Sequence, residues 1–411
     1  MTKFRKAALP ALTAASAAMV TQTALAIDFS GYLRSGVGGN SEGGAQECFA
    51  LPGASSKYRL GNECETYAEI GLGTNIFEGP DGAYFRVQTR FALATDQDAS
   101  YEPIVDSETG DGWWIPEAYV EAGNLFGGAF ANASFWVGKR FYQRHDVHIT
   151  DYFYWNNSGP GAGVQGIDLG FADLSYAYRR DTDRSFDSST VALESHDLRL
   201  GNIAVNPGGA LELGVTYARH DEDLDDLDAE DFDGDDGLLF TIQHFQDGVL
   251  GGFNKLAVQY GTGPYGAQAG AGAIGLNDDA KVLRVVEQLL FQVTDNWSGM
   301  FTAVYEDQDD VQTWYSVGIR PIYHVNQYFD LATEIGYDYV SPEEGDSRNL
   351  TKVTFAAQLS PEMAFFSRPN LRAFVTYATW NDAADEVGIA NGVFDGSTDG
   401  FTYGFQAETW W

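Results

Sequence analysis

Phe401-Thr-Tyr-Gly-Phe-Gln-Ala-Glu-Thr-Trp-Trp411 carries two patterns in one stretch. Its odd positions give Phe401, Tyr403, Phe405, Ala407 and Trp411, and its even positions give Thr402, Gly404, Gln406, Glu408 and Trp410. Because side chains alternate across a strand, the first set makes one face and the second the other. One face suits lipid, with aromatics at its ends, and the other suits water. Soluble sandwiches also contain amphipathic strands, but this aromatic density fits a strand that forms part of a membrane barrel.

The same alternation recurs through the chain. Phe29 and Leu33 oppose Tyr32 and Arg34; Ala68, Ile70 and Leu72 oppose Tyr67 and Glu69. Further on, Phe85, Val87 and Phe91 oppose Arg86, Gln88 and Arg90, while Leu256, Val258 and Tyr260 oppose Phe253, Lys255 and Gln259. Roughly 18 such strands fit between Ile27 and Trp411, at about 21 residues per strand and connection. Tight turns such as Asn206-Pro-Gly-Gly alternate with longer polar loops. The expected fold is therefore all-β, an 18-stranded antiparallel transmembrane β-barrel occupying 27–411 as one domain. A barrel of that size encloses water. Forty-seven glycines, 14% aromatics and a mean hydropathy of −0.24 agree, because each strand shows lipid only every second residue.

Lys3, Arg5 and Lys6, the small apolar residues from Ala7 to Val20, and Ala24-Leu-Ala26 read as a signal peptide over 1–26, with Ile27 as the expected first mature residue. Its removal takes three of the 24 basic residues and none of the 59 acidic ones, leaving a net charge of −38. That balance excludes nucleic acid as a partner. No later segment has 18 consecutive apolar residues, as a spanning helix requires. In an exported chain Cys48 and Cys64 are most simply a disulfide closing a local loop, contributing about 3 kcal/mol by loop entropy. The alternative of a metal-bound thiol pair lacks neighbouring His or Cys ligands.

One stretch breaks the alternation. From Trp136 to Trp155, charges stand among the aromatics, and Ser158-Gly-Pro-Gly-Ala-Gly163 is expected to turn the chain back. The stretch is read as a long loop folded into the lumen. It offers Arg144, His145, Asp146, His148 and Asp151 as hydrogen-bonding groups, with Tyr152, Phe153, Tyr154 and Trp155 as flat apolar faces. Inward aromatics such as Tyr32, Tyr67, Phe253 and Trp410 likewise ask for a solute with an apolar face. A pyranose has one in its axial C–H groups, and its hydroxyl rim can bond to charged side chains at about 1.5–3 kcal/mol each. The competing reading places those aromatics in the interfacial girdles of the barrel.

Other chemistry is less well supported. His145 and His148 with Asp146 invite a metal, but the chain lacks a second ligand cluster, so no metal and no cofactor are expected. The acidic run Asp221–Gly237 resembles a calcium loop around Asp231, Asp233 and Asp235, yet it has Asp236 where glycine is needed and Ile242 where glutamate is needed. A solvated loop is the simpler reading. No Ser-His-Asp or paired-carboxylate arrangement distinguishes itself from scattered acids, so an enzyme is not expected.

Ser56-Lys-Tyr-Arg-Leu-Gly-Asn-Glu-Cys-Glu-Thr-Tyr-Ala-Glu69, Gly138-Lys-Arg-Phe-Tyr-Gln-Arg-His-Asp-Val-His148, Gly318-Ile-Arg-Pro321 and the final Trp-Trp resemble the maltoporins, the maltodextrin-specific porins of Gram-negative outer membranes. The similarity runs over nearly the whole mature chain. It implies an outer-membrane homotrimer with an inward third loop, an aromatic slide and a polar track. The slide positions match Tyr32, Tyr67, Phe253 and Trp410, with Phe366 where the family commonly has tryptophan. The track matches Arg34, Arg59, Glu69, Arg144, Asp146 and Asp151, and the constriction matches Phe153 and His148. Three departures stand out. The aromatic lent by a neighbouring subunit aligns with Ala99, leaving Tyr101 or Trp113 as its replacement. A track arginine aligns with Pro116, leaving Arg86 or Arg90 to compensate. Phe153 replaces a tyrosine. The implied partners are maltose and maltodextrins and outer-membrane lipid; the long external loops separately suggest a surface receptor for phage or partner cells, compatible with transport. The alternatives are a general or cation-preferring porin, or a porin for another oligosaccharide such as sucrose.

Overall fold

The computed structural model describes residues 26–97, 99–101, 112–186, 189–220, 236–263 and 280–411. Eighteen strands form one antiparallel sheet. Each barrel strand pairs with the next along the chain. The last, Asp399–Trp410, pairs with the first, Asp28–Asn40, and closes the ring. Closure removes every free edge, so the backbone N–H and C=O groups are paired within the wall, as lipid demands. The 18-strand expectation is borne out, and so is the register. Phe401, Tyr403 and Phe405 are exposed on the outer face, while Thr402, Gln406 and Glu408 are buried on the inner one. Trp411 is outside against Phe29, with ring centroids 5.4 Å apart. Both described ends of the chain lie at the end of the barrel with the short turns; Pro207-Gly208 is one, with Gly208 at a φ of 75° that only glycine takes easily.

The inward loop begins later than expected. Ser134–Arg140 is a regular barrel strand, and so is Gly159–Asp168, with which it pairs. Charges stand among its aromatics because the lumen accepts both: Trp136 is buried against Tyr142, and Arg140 lies over Trp136 and Tyr119 at 5.5 and 4.7 Å. The glycine run does not turn the chain back. It lets two backbones approach, since a Cβ on Gly163 would stand 2.6 Å from the Tyr176 carbonyl and 2.8 Å from the Trp136 indole nitrogen. Residues 141–158 are the true loop, built on a hairpin of His145–Val147 and Tyr152–Trp155.

A second segment, 41–65, also folds into the lumen, which the sequence reading did not foresee. Tyr58 is held against Gly318 and Gly336, where a Cβ would stand 2.1 and 2.0 Å from its ring, and its hydroxyl lies 3.0 Å from that of Ser316. The Leu60 backbone N–H donates to Glu334 at 2.9 Å, and Lys352 donates to the Leu60 carbonyl at 3.1 Å. Asn62, fully buried, ties the backbones of Phe49 and Tyr58 together. The Cys48–Cys64 disulfide is formed, with Cα atoms 5.8 Å apart, and closes this segment. The two inward segments meet where the Arg59 N–H donates to the Ile149 carbonyl at 3.1 Å.

Candidate functional site

Three neighbouring strands set out a file of aromatics on the inner wall. Tyr32 is opposite Trp410, and Arg34, two residues along on the same face as Tyr32, is opposite Tyr67. The Tyr32 and Tyr67 rings are 6.0 Å apart. Beside them opens a cavity of about 590 Å³ lined by Tyr32, Arg34, Arg59, Tyr67, Glu69, Ala92, Trp114, Pro116, Phe141, Arg144, Asp151 and Phe153. Eight of the candidate residues from the sequence therefore meet in one place: Tyr32, Tyr67, Arg34, Arg59, Glu69, Arg144, Asp151 and Phe153.

The charges are held in a connected network. Arg59 donates to Glu63 at 2.6 Å and to the Tyr32 hydroxyl at 2.6 Å, and Tyr32 donates to Glu408 at 3.1 Å. Asp151 stands 3.6 Å from both Arg34 and Arg59. Arg34 also pairs with Glu63 and Glu65, and its guanidinium lies 4.9 Å over the Tyr67 ring. Tyr67 donates to Glu69 at 2.7 Å. Against the cost of burial, Arg59, Lys57 and Arg34 hold the Glu63 carboxyl below its ordinary range. Arg144 lies between two rings, 3.5 Å over Phe141 and 4.6 Å over Phe153, and burial lowers its pKa.

The remaining candidates occupy other surroundings. His148, at the hairpin tip, packs toward the side of the site nearer the chain end, where its ring is 5.1 Å from Phe366 and 5.7 Å from Trp410. Arg368 lies 4.1 Å over Trp410 and 3.2 Å from the His148 Nε2. Burial first, then Arg59 and Arg368, push the His148 pKa well down. Phe253 is packed on Phe245 at 5.5 Å, away from the cavity. Asp146 does not line the cavity either; it faces the charge of Lys255, beside Phe253, and burial raises its pKa. His145 pairs with Glu212 at 3.0 Å and stacks on Trp155, so the two histidines point to different partners. Among the described residues, no group of three or more His, Cys, Asp or Glu is placed to hold a metal. Tyr101 is 95% exposed and outside the cavity. The acidic residues 221–235 and the segment 1–25 lie outside the described residues.

Three loop aromatics expected to face a solute are wall anchors instead. Tyr152 donates to Glu306 at 3.2 Å, Tyr154 to Gln243, and Trp155 lies 3.9 Å under Arg199 with its ring where a Gly214 Cβ would be. Conversely, Trp114 and Phe141 line the cavity without having been singled out. Trp114 arrives there through a bulge: Arg90 pairs with Glu117 and Ala92 with Trp114, so two residues, Ile115 and Pro116, oppose one. Proline, lacking an N–H, is tolerated at a bulge. Of the two arginines named as compensating for Pro116, Arg90 reaches the cavity residue Glu69, donating to it at 3.0 Å and to Glu117 at 2.7 Å, whereas Arg86 pairs with Asp28.

One hydrolase-like arrangement does occur. Ser298 Oγ is 2.8 Å from His324 Nε2, and His324 Nδ1 is 2.6 Å from Asp330 Oδ1. The three are only 0, 0 and 1% exposed and line no part of the cavity, so a substrate carbonyl has no route to Ser298. They tie three neighbouring strands together.

Solved structures similar in fold include the outer membrane channel DcaP of Acinetobacter baumannii, at 10% identity over 94% of this chain and 97% of that one, with a TM-score of 0.53. OccAB2 of the same organism matches at 11% identity over 94% and 98%, with a TM-score of 0.51. Residues 27–411 match the LamB porin family, a family of non-enzymatic channels of the Gram-negative outer membrane. This closed, water-lined barrel is a member of the LamB porins, the maltoporin family.

Proposed function

We propose that the channel carries maltose and maltodextrins by facilitated diffusion down their gradient, without energy coupling. The observation that carries this reading is the file of Tyr67, Tyr32 and Trp410 along the inner wall, bordered by Arg34, Arg59, Glu69, Arg144 and Asp151. Flat rings take the C–H face of each glucose while the charged groups exchange hydrogen bonds around its rim. Phe366, next to His148, continues the apolar face toward the end with the termini, and Phe253, packed on Phe245, adds a further ring beyond the cavity. Several weak sites in line suit transport: a millimolar site corresponds to about −4 kcal/mol, tight enough to fill and loose enough to empty. The mature protein begins at Ile27 and works as a homotrimer, with external loops available to phage. A general or cation-preferring pore is the competing reading, and the arginines of the cavity weigh against it. Liposome swelling with maltose, sucrose and maltohexaose tests the proposal. Faster swelling with maltose than with sucrose is expected; equal rates would leave only a size filter.

A further inference from the structure

We infer that Glu287, Asn254 and His244 form a headgroup site on the outer face of the barrel, and that its occupant is an aminophospholipid of the periplasmic leaflet.

The outward face of the wall is apolar along most strands, and Glu287 breaks that pattern. In Lys281–Thr294 the alternate residues Val282, Arg284, Val286 and Gln288 are buried on the lumen side, which turns Glu287 outward. Its register partners are Leu256, an exposed outward leucine, and Ala303. Ala303 lies between Trp297 and Tyr305, whose rings pair with Tyr323 and Tyr315 at 5.0 and 5.1 Å and mark the two borders of the apolar band. Glu287 therefore faces hydrocarbon. An ionisable side chain at such depth is costly and marks a site with a partner.

The chain itself supplies no countercharge. Among the described residues Glu287 has no salt bridge, and its carboxylate accepts from the Asn254 side chain. Asn254 is also outward, opposite Gln246, which accepts from Asn206 at 2.6 Å and donates to the Pro207 carbonyl at 3.1 Å. Polar side chains thus climb the lipid face from the Pro207-Gly208 turn to Glu287, and a headgroup at the periplasmic border can follow them. His244 stands opposite Leu256, two strand spacings or about 9.6 Å from the Glu287 backbone. It makes no hydrogen bond among the described residues.

These groups select the occupant by charge. A lone carboxylate asks for a cation, and an imidazole N–H beside it asks for an acceptor. A molecule that lives in the membrane and carries both an ammonium and a phosphate is an aminophospholipid. Its ammonium goes to Glu287, its phosphate to the His244 side, and its acyl chains lie against Leu256 and Leu289, both outward like Glu287.

The test is native mass spectrometry of the whole barrel in detergent, titrated with phosphatidylethanolamine and with phosphatidylglycerol of matched chains. Wild type should bind the former about tenfold more tightly. Glu287→Gln keeps the size of the side chain and a partner for Asn254 but loses the charge, and should bring the two lipids within about twofold of each other. Leu283→Ala, on the same outward face, should keep the wild-type preference. Maltohexaose block should be unchanged in both variants, because neither side chain enters the lumen; lost block would contradict the outward placement. A wild-type barrel without the preference, or a Glu287→Gln barrel that retains it, overturns the inference. A changed oligomeric state in Glu287→Gln with the lipid preference intact would assign the face to a second copy of the chain and overturn it as well.

Discussion

Tyr58 is the peg on which the second inward segment hangs, and its socket can be filled without touching the sugar path. In Gly336→Ala the new Cβ would stand 2.0 Å from the Tyr58 ring, where ordinary contact begins at 3.4 Å. The ring must therefore retreat by about 1.5 Å to reach normal carbon–carbon separation, and overpacking of this kind costs about 1–3 kcal/mol. Arg59 follows Tyr58 in the chain, so its 3.1 Å hydrogen bond to Ile149 and its 3.6 Å approach to Asp151 are strained by the same shift. The expected result is a barrel that assembles normally, conducts ions more readily, and binds maltohexaose about tenfold more weakly, or ~1.4 kcal/mol. Planar-bilayer conductance with sugar titration reads both quantities. Gly127→Ala, where a Cβ has nothing within 4 Å, is the neutral control. Truncating the peg as well, in Tyr58→Ala with Gly336→Ala, should cost less than the two single changes added together, because the clash is gone. Wild-type conductance and block in Gly336→Ala would refute the reasoning that Tyr58 positions Arg59.

Three further outcomes are expected. Trp410→Ala removes a lumen face and should lower maltodextrin affinity with assembly intact, whereas Trp411→Ala removes a lipid-side ring packed on Phe29 and should impair assembly instead; the reverse pattern in gel assembly and current block would contradict the register. Burial, then Arg59 and Arg368, hold His148 well below its ordinary value, so its folded form resists a proton that the unfolded chain takes up near about pH 6.5. Stability is thus full above that pH and falls as pH drops below it; thermal unfolding between pH 7.5 and 5 should show the fall, and an unchanged slope in His148→Gln would rule the histidine out. Asp151→Asn removes a carboxylate 3.6 Å from both Arg34 and Arg59; reversal potentials in a salt gradient should move toward anions, and no movement would show that this charge does not act on the pore.

The barrel and its register were legible because lipid on one side and water on the other impose a period of two on every strand, as Phe401 to Trp411 illustrates. For the same reason Tyr32, Arg34, Tyr67 and Glu69 could be placed inside from their neighbours alone. The start of the inward loop was not legible, because Trp136 and Arg140 satisfy the lumen as strand residues in a way that a hydropathy pattern cannot separate from a loop. Trp114 escaped because the bulge at Ile115 and Pro116 breaks the alternation that would otherwise put it outside. The inward path of 41–65 depends on partners such as Gly318, Gly336, Glu334 and Lys352, far along the chain, and nothing local to Tyr58 announces them. Tyr152, Tyr154 and Trp155 look identical in sequence to solute-facing rings; only their wall partners Glu306, Gln243 and Arg199 show that they are anchors.

The most direct measurement of the central claim is single-channel current through the wild-type protein in a planar bilayer as maltohexaose is added. A channel that binds sugar along Tyr67, Tyr32 and Trp410 should show concentration-dependent, reversible block that saturates at millimolar sugar or below, corresponding to about −4 kcal/mol or stronger. Current that stays open at millimolar maltohexaose would contradict it.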